Sequence, residues 1–210
     1  MTSPILSVHD LTVGPVDESN LPILDGISFE LASHEVLGVF AETGGGKSVL
    51  SRALANWLPA TLRFRRGDIR FKGRSILSAD GGSLIRPGRE IGYIGSRPQS
   101  SLDPTIPVGP QLVEKLRAVR PEISRHDAEQ KILKLLAEVR IPSPAERFHE
   151  YPAKYSGGMM QRAMIVDALS TDPAVVIADN ITQPLDVTIA LQVVRLLKQM
   201  ADRHGVSVLF

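Results

Sequence analysis

The chain has no cysteine, which excludes disulfides, thiol nucleophiles and cysteine-ligated zinc. Aromatic residues make up only 5%, with one tryptophan and three tyrosines. None form a platform interleaved with basic residues, so stacking on single-stranded nucleic acid has no basis. Lys and Arg number 24 against 23 Asp and Glu, a net charge of +1. No surplus of one sign points to nucleic acid or an anionic membrane. No apolar run approaches the roughly 20 residues needed to span a bilayer. The N-terminus lacks a basic-then-apolar signal peptide. The chain is therefore expected to be soluble by itself, with any membrane role coming through a partner. What is present is an apolar share of 43% in 210 residues. That supports a real core, arranged as one large domain or two small lobes. No internal repeat or low-complexity segment is found.

Hydrophobic periodicity divides the chain into textures. Ile5 to Val13 reads as a strand, Asp17 to Asn20 as a turn, and Ile23 to Leu31 as a second strand with Ile27 and Phe29 on one face. Val36-Leu37-Gly38-Val39-Phe40 is a short apolar run, expected as a strand buried on both faces. A glycine cluster follows, and then a helix from Ser48 to about Leu58 with Leu50, Leu54 and Trp57 at helical spacing. Gly67 to Phe71 alternates as a strand with Arg70 and Lys72 outward. Arg63, Arg65 and Arg66 precede it and are read as part of a solvated hairpin face. Ile91 to Ile94 is another short strand. From about Val108 to Leu169 the texture is helical. Ser124 with Asp127 makes a capping-box-like start, Ala128, Ile132, Leu135, Leu136 and Val139 mark one helix face, and Ile141-Pro142-Ser143-Pro144 breaks it. A further helix begins near Gly158. Alternation then returns with a strand over 174–179, a helix from Val187 to Arg203 and a strand from Val206 to Phe210.

Ala41-Glu42-Thr43-Gly44-Gly45-Gly46-Lys47-Ser48 sits between strand and helix, the context a phosphate loop requires. The glycines let backbone N–H groups turn inward on phosphate oxygens. Lys47 can reach the β- and γ-phosphates, Ser48 can ligate Mg²⁺, and the helix adds its positive end. The full pattern has glycine where Ala41 stands, a methyl that a negative φ would tolerate.

A second segment decides what kind of nucleotide protein this is. Ser156-Gly157-Gly158-Met159-Met160-Gln161-Arg162 lies shortly before the apolar strand Ala174-Val175-Val176-Ile177-Ala178-Asp179. The pair resembles the signature and Walker B motifs of ATP-binding-cassette (ABC) ATPases. By that resemblance the fold is α/β: a P-loop NTPase (RecA-like) core with an antiparallel β subdomain and an inserted α-helical signature subdomain. Residues 1–210 would form a single nucleotide-binding domain, with 1–104 and 171–210 as the α/β core and β subdomain and 105–170 as the helical subdomain. The resemblance implies ATP and Mg²⁺ as cofactors, with Glu42 to Ser48 and Asp179 binding nucleotide and Ser48 and Asp179 holding the metal. Ser156, Gly157, Gly158, Met159 and Gln161 would complete the ATP site of a second subunit. Leu185-Asp186 matches the D-loop, which crosses to that subunit.

The departures from the family pattern are as informative. A glutamate that activates water normally follows the Walker B aspartate; here the position is Asn180. An amide orients water but cannot take its proton at neutral pH, and general-base catalysis is typically worth about 10²–10⁴-fold. The family's metal-sensing glutamine aligns with Ser96, and Gln99 would substitute only in a shifted loop. No aromatic stands between Val13 and Ile23 where the family stacks adenine, which leaves Val16 or a neighbour. The family continues into a switch histidine just past Phe210, so the fold is expected to be C-terminally incomplete. His9, His34, His126, His149 and His204 read as surface residues. The chain's own site is expected to bind MgATP and hydrolyse it slowly.

Gly157-Gly158-Met159-Met160-Gln161-Arg162-Ala163-Met164-Ile165, Leu185-Asp186-Val187-Thr188-Ile189 and Ser101-Leu102-Asp103-Pro104 resemble the oligopeptide/dipeptide/nickel importer branch. That branch implies a second, non-identical ATPase subunit, two membrane permease subunits and an extracytoplasmic solute-binding protein, with no nucleic acid. It also implies a peripheral location on the cytoplasmic face of the bacterial inner membrane. The alternative is a structural or regulatory subunit that binds ATP and never hydrolyses it. An ABC-type ATPase acting on DNA or ribosomes would want long coiled-coil insertions or a basic face. A plain P-loop kinase or GTPase leaves SGGMMQR unexplained.

Overall fold

The computed structural model describes residues 3–17, 20–77, 88–182 and 186–210. Its strands form two sheets. The first is antiparallel, in the order β2-β1-β4-β5, from β1 (Leu6–Pro15), β2 (Leu24–Leu31), β4 (Leu62–Phe71) and β5 (Arg74–Ser75). The second is parallel, in the order β3-β8-β7-β6, from β3 (Val36–Leu37), β6 (Ile91–Ile94), β7 (Val175–Ala178) and β8 (Ser207–Leu209). Helix α1 (Lys47–Leu54) follows the glycine cluster. Helices α2 (Val108–Val119), α3 (Arg125–Glu138), α4 (Pro144–Phe148) and α5 (Gly157–Leu169) lie between β6 and β7, and α6 (Val187–His204) leads into β8.

The period of two along β7 divides the core. Val175 and Ile177 point to one side, where they meet Leu6, Val8, Leu11 and Val13 of β1 and Leu50, Ala53 and Leu54 of α1. Val176 and Ala178 point to the other, against residues of α2, α3, α5 and α6. Burial on both faces is what an all-apolar parallel strand demands. A side chain at Gly92 of β6 would lie 2.6 Å from the Ala168 carbonyl, so α5 can approach this sheet only because the residue is glycine.

Helix boundaries follow their caps. The Ser124 hydroxyl accepts from the Asp127 N–H at 3.1 Å and opens α3. Arg140 with φ 60 and the proline pair at 142 and 144 close that segment before α4. Gly205 at φ 65 ends α6 and turns the chain into β8.

Three expectations change. Val36 to Phe40 is not buried on both faces: among the described residues β3 is an edge strand, paired with β8 alone, and Phe40 is 92% exposed. Helix α1 stops at Leu54, because Asn56 adopts φ 50; Trp57 lies beyond the helix and packs edge-to-face on Tyr93, with ring centroids 6.0 Å apart. Strand β4 begins at Leu62 and so includes Arg63, Arg65 and Arg66. Arg66 pairs with Asp10 on the solvated face as expected. Arg65 does not: its guanidinium donates to the carbonyls of Pro15, Asp17 and Asn20 and so holds the loop between β1 and β2. Gly14 leaves room for it, since a Cβ there would sit 2.6 Å from Arg65 Cζ.

Candidate functional site

The C-terminal ends of the parallel strands meet at one edge, the usual ligand-binding edge of an α/β sheet. The glycine loop leaves β3 there, Asp179 follows β7, and Ser96 follows β6. Gly44 and Gly46 have φ 86 and 83, the left-handed region that glycine enters without strain. A Cβ on Gly46 would strike Leu24 Cδ2 at 2.8 Å, and one on Gly45 would lie 3.0 Å from the Ala41 methyl. The Ala41 methyl is thus accommodated by the missing side chain of Gly45, and Ala41 itself is not among the residues with positive φ. The Gly45 N–H donates to Glu42 O at 3.0 Å. Lys47 Nζ donates to the carbonyls of Ala41 and Glu42 at 2.6 and 3.0 Å, folded back onto its own loop. Glu42, Thr43 and Gly44 are exposed at its tip.

Asp179 is 3% exposed. One carboxylate oxygen accepts from Ser48 Oγ at 2.8 Å and the other from Tyr93 Oη at 2.9 Å. Both donors are neutral hydroxyls, which stabilise the charge without cancelling it. A buried carboxylate so placed fits a divalent cation held by Ser48 and Asp179. The glycine loop beside it, too tight for a Cβ at Gly45 or Gly46, fits phosphate oxygens. Burial, then the Asp179 charge, push the Tyr93 phenol up to about 12, so it remains a donor. Tyr93 was not singled out from the sequence; its place in β6, paired with Ile177 of β7, was the available signal.

Asn180 is exposed, adopts φ 52, and lines a cavity of about 190 Å³ with Ala41, Lys47, Asp179, Thr182 and Phe210. Ser96 borders a neighbouring cleft of about 740 Å³ with Ser48, Arg52, Tyr93 and Asp179. Gln99 does not line that cleft: it sits exposed in the 3-10 turn Pro98–Ser100. Its loop is fixed instead by Asp103, which accepts from the Thr105 hydroxyl and N–H, and those bonds lower its pKa. The five histidines are exposed.

The signature residues gather elsewhere. The Ser156 hydroxyl caps α5 by accepting from the Met159 N–H at 3.3 Å. Asp186 caps α6 by accepting from the Ile189 N–H at 2.9 Å. Ser156, Gly157, Gly158, Met159 and Asp186 line one surface cleft of about 490 Å³. Gln161 does not join them. It is wholly buried, and its amide donates to the Ile181 carbonyl at 2.8 Å, because position 161 falls on the core side of α5. Tyr155 donates to Arg147 O at 2.9 Å and so anchors the approach to Ser156. Leu185 lies outside the described residues.

The family model described as ABC transporter matches residues 24–183. The chain belongs to the ABC transporter family. This ABC chain is 37% identical, over its whole length, to the probable D,D-dipeptide transport ATP-binding protein DdpD of Escherichia coli, of which it covers 65%. It is 40% identical over 98% of its length to the probable peptide ABC transporter ATP-binding protein y4tR of Sinorhizobium fredii, covering 62%. The ABC chain thus spans less than two thirds of the curated relatives it matches. In fold it is similar to cbiO1 of Clostridium perfringens, part of the ABC transporter complex cbiONQ, at TM-score 0.81 and 22% identity, covering 98% of this chain and 77% of that one. It is also similar to the dimeric ATP-binding cassette MJ0796 bound to ADP and Pi, at TM-score 0.77 and 19% identity, covering 97% of this chain and 86% of that one. The α/β class, with a P-loop NTPase core, is therefore the fold of this ABC chain. Among the described residues no helix is long and apolar enough to cross a membrane.

Proposed function

We propose that this ABC chain is an ATP-binding subunit of an importer for peptides or nickel-like small solutes. It would pair with a second, non-identical ATPase subunit on the cytoplasmic face of the membrane, beneath two permease subunits served by a solute-binding protein. The names of the relatives at 37 and 40% identity support the peptide branch.

The observation that carries the mechanism is an asymmetry within the chain. The geometry around the residues read as holding nucleotide and metal supports that reading: the Gly44–Gly46 loop, Lys47, and Ser48 joined to Asp179 at 2.8 Å. The residues that would do the chemistry are not, since Asn180 and Ser96 stand at the positions of the base and of the metal-sensing amide. The half-site we assign to a partner is supported by Ser156 and Asp186, which cap helices on one cleft.

ATP bound at the loop would have its phosphates cradled by the loop N–H groups and neutralised by Lys47. Magnesium, when bound with it, supplies charge neutralisation at the β- and γ-phosphates. Asn180 orients water but accepts no proton, so hydrolysis here is slow. Ser156 and the N–H groups of Gly157 and Gly158 cap a γ-phosphate held by the partner, where the competent reaction occurs.

The test is steady-state MgATP hydrolysis by this chain mixed with the candidate partner ATPase. The mixture is expected to be active, to lose activity on Ser156→Arg in this chain, and to gain little on Asn180→Glu. A mixture that hydrolyses no ATP, and that none of these changes affects, would make the chain a non-hydrolysing regulatory or structural subunit instead.

A further inference from the structure

Asp179 is gripped from two sides. Ser48, on α1, reaches one carboxylate oxygen, and Tyr93, on β6, reaches the other. The Ser48 contact belongs to the nucleotide-binding machinery already described. The Tyr93 contact has no such assignment. Tyr93 lies on the strand beside β7, in register with Ile177 and two positions before Asp179 in the pairing frame, so its phenol reaches forward along the sheet edge. Its ring is itself braced: Trp57 stands edge-on against it at 6.0 Å and 84°. Tyr93, Ser48, Ser96, Arg52 and Asp179 border one cleft. The phenol thus stands on the same side of Asp179 as Ser96, the position where a longer amide side chain is missing.

We propose that Tyr93 is a positioning residue for magnesium: it fixes the plane of the Asp179 carboxylate and so holds the metal-binding geometry that Ser96 cannot reach to support. A carboxylate with one bonded oxygen can swing about its terminal torsion, which is broad. A second hydroxyl on the other oxygen removes that freedom before the metal arrives. Partners of this kind, which touch the ligand rather than the ion, typically alter metal affinity about 10–100-fold. The proposal rests on the reading of Ser48 and Asp179 as the magnesium site, and it concerns binding rather than turnover.

Trp57 is the chain's one tryptophan and touches the residue in question, so its fluorescence is a built-in reporter. The experiment titrates the chain and its Tyr93→Phe variant with ATP in the presence of a chelator, and then titrates Mg²⁺ into the ATP-loaded proteins. Binding is read from Trp57 emission and independently by calorimetry. The expected result is an unchanged affinity for metal-free ATP and about a tenfold weaker response to Mg²⁺ in Tyr93→Phe. Asp179→Asn should weaken Mg²⁺ binding by itself, and adding Tyr93→Phe to it should cost nothing more, because the residue being positioned is gone. Equal Mg²⁺ responses in wild type and Tyr93→Phe would overturn the proposal and leave the nucleotide site standing. So would an equal loss for metal-free and metal-loaded ATP, the mark of a merely structural tyrosine. A wild-type chain that binds no nucleotide in either condition would overturn both the proposal and the reading beneath it.

Discussion

The Gln161 amide donates to the Ile181 carbonyl at 2.8 Å in a place wholly shielded from water. This bond ties the helix that begins at Ser156 to the backbone just after Asp179 and Asn180. One end of the link is the half-site proposed to serve a partner; the other is the chain's own proposed nucleotide site. Among the described residues, Gln161 Oε1 has no hydrogen-bond partner. Replacing Gln161 by Leu leaves the Ile181 carbonyl unpaired but also removes that unsatisfied oxygen. The expected loss is therefore at the low end of the range for an orphaned buried group, about 1 kcal/mol. Gln161→Glu puts a carboxylate against a carbonyl in a dry core and should cost clearly more. Urea unfolding of the two variants checks the order, and a Glu variant as stable as the Leu variant would refute the account.

Ser156 has two separable tasks. As the cap of α5 it contributes about 1 kcal/mol, which Ser156→Ala should remove. As an exposed group on the cleft with Asp186 it should matter to a partner's nucleotide and not to its own. Ser156→Asn keeps a capping side chain. Unfolding should then rank Asn near wild type and Ala below it, while ATP affinity of the isolated chain is equal in all three. A change in the chain's own ATP affinity would place Ser156 in the wrong site.

Much of this was legible in the sequence, for physical reasons that differ by element. The strand at 91–94 and the helix caps at Ser124 and Ser156 are local devices, written in a few adjacent residues. The loop at 41–48 is likewise a local pattern, and its glycines adopt the conformations their type allows. What could not be read depends on neighbours distant in sequence. The exposure of Phe40 follows from β3 being an edge strand, a fact of sheet order. Arg65 looks like any outward arginine until three carbonyls of the preceding loop converge on it. Gln161, like Met160, falls on the buried side of a motif whose Ser156 to Met159 reach the surface cleft, and only the helix phase separates it from Met159. Tyr93 reaches Asp179 across a separation of 86 positions, which no local pattern records.

Tyr155 makes the chain sensitive to alkali. Burial, then the nearby Glu150 carboxylate, push its phenol up to about 12 from an ordinary value of 10.0. The folded state therefore holds the phenolic proton more tightly than the unfolded one. That contribution to stability is whole below pH 10 and is lost as the pH climbs towards 12. Its loss frees the Arg147 carbonyl and loosens the approach to Ser156. Stability measured between pH 9 and 12 should fall less steeply for Tyr155→Phe than for wild type, although Tyr155→Phe is the less stable of the two at neutral pH. Parallel curves would show that Tyr155 does not titrate with folding.

Placing a carboxylate at 180, the position we assign to the base, should not by itself give fast hydrolysis. Asn180 adopts φ 52, a left-handed conformation in which asparagine is one of the few comfortable side chains. An ordinary residue pays roughly 1–2 kcal/mol there. Asn180→Glu therefore introduces a carboxylate on a backbone that resists it, so the side chain need not settle where a base is wanted. Ser96, meanwhile, still leaves the proposed metal site without the amide that the family resemblance implies there. The gain from Asn180→Glu should fall well short of the roughly 10²-fold that a positioned base supplies, and Ser96→Gln with Asn180→Glu should exceed the product of the two single changes. The measurement is single-turnover hydrolysis in a pair whose second subunit has a disabled phosphate loop, so that only this chain's site reports. The backbone argument has its own check: Asn180→Gly should be no less stable than wild type, and Asn180→Ala should lose about 1 kcal/mol. A full recovery of hydrolysis by Asn180→Glu alone, with Ala as stable as Gly, would show that the left-handed turn after Asp179 places no limit on the chemistry.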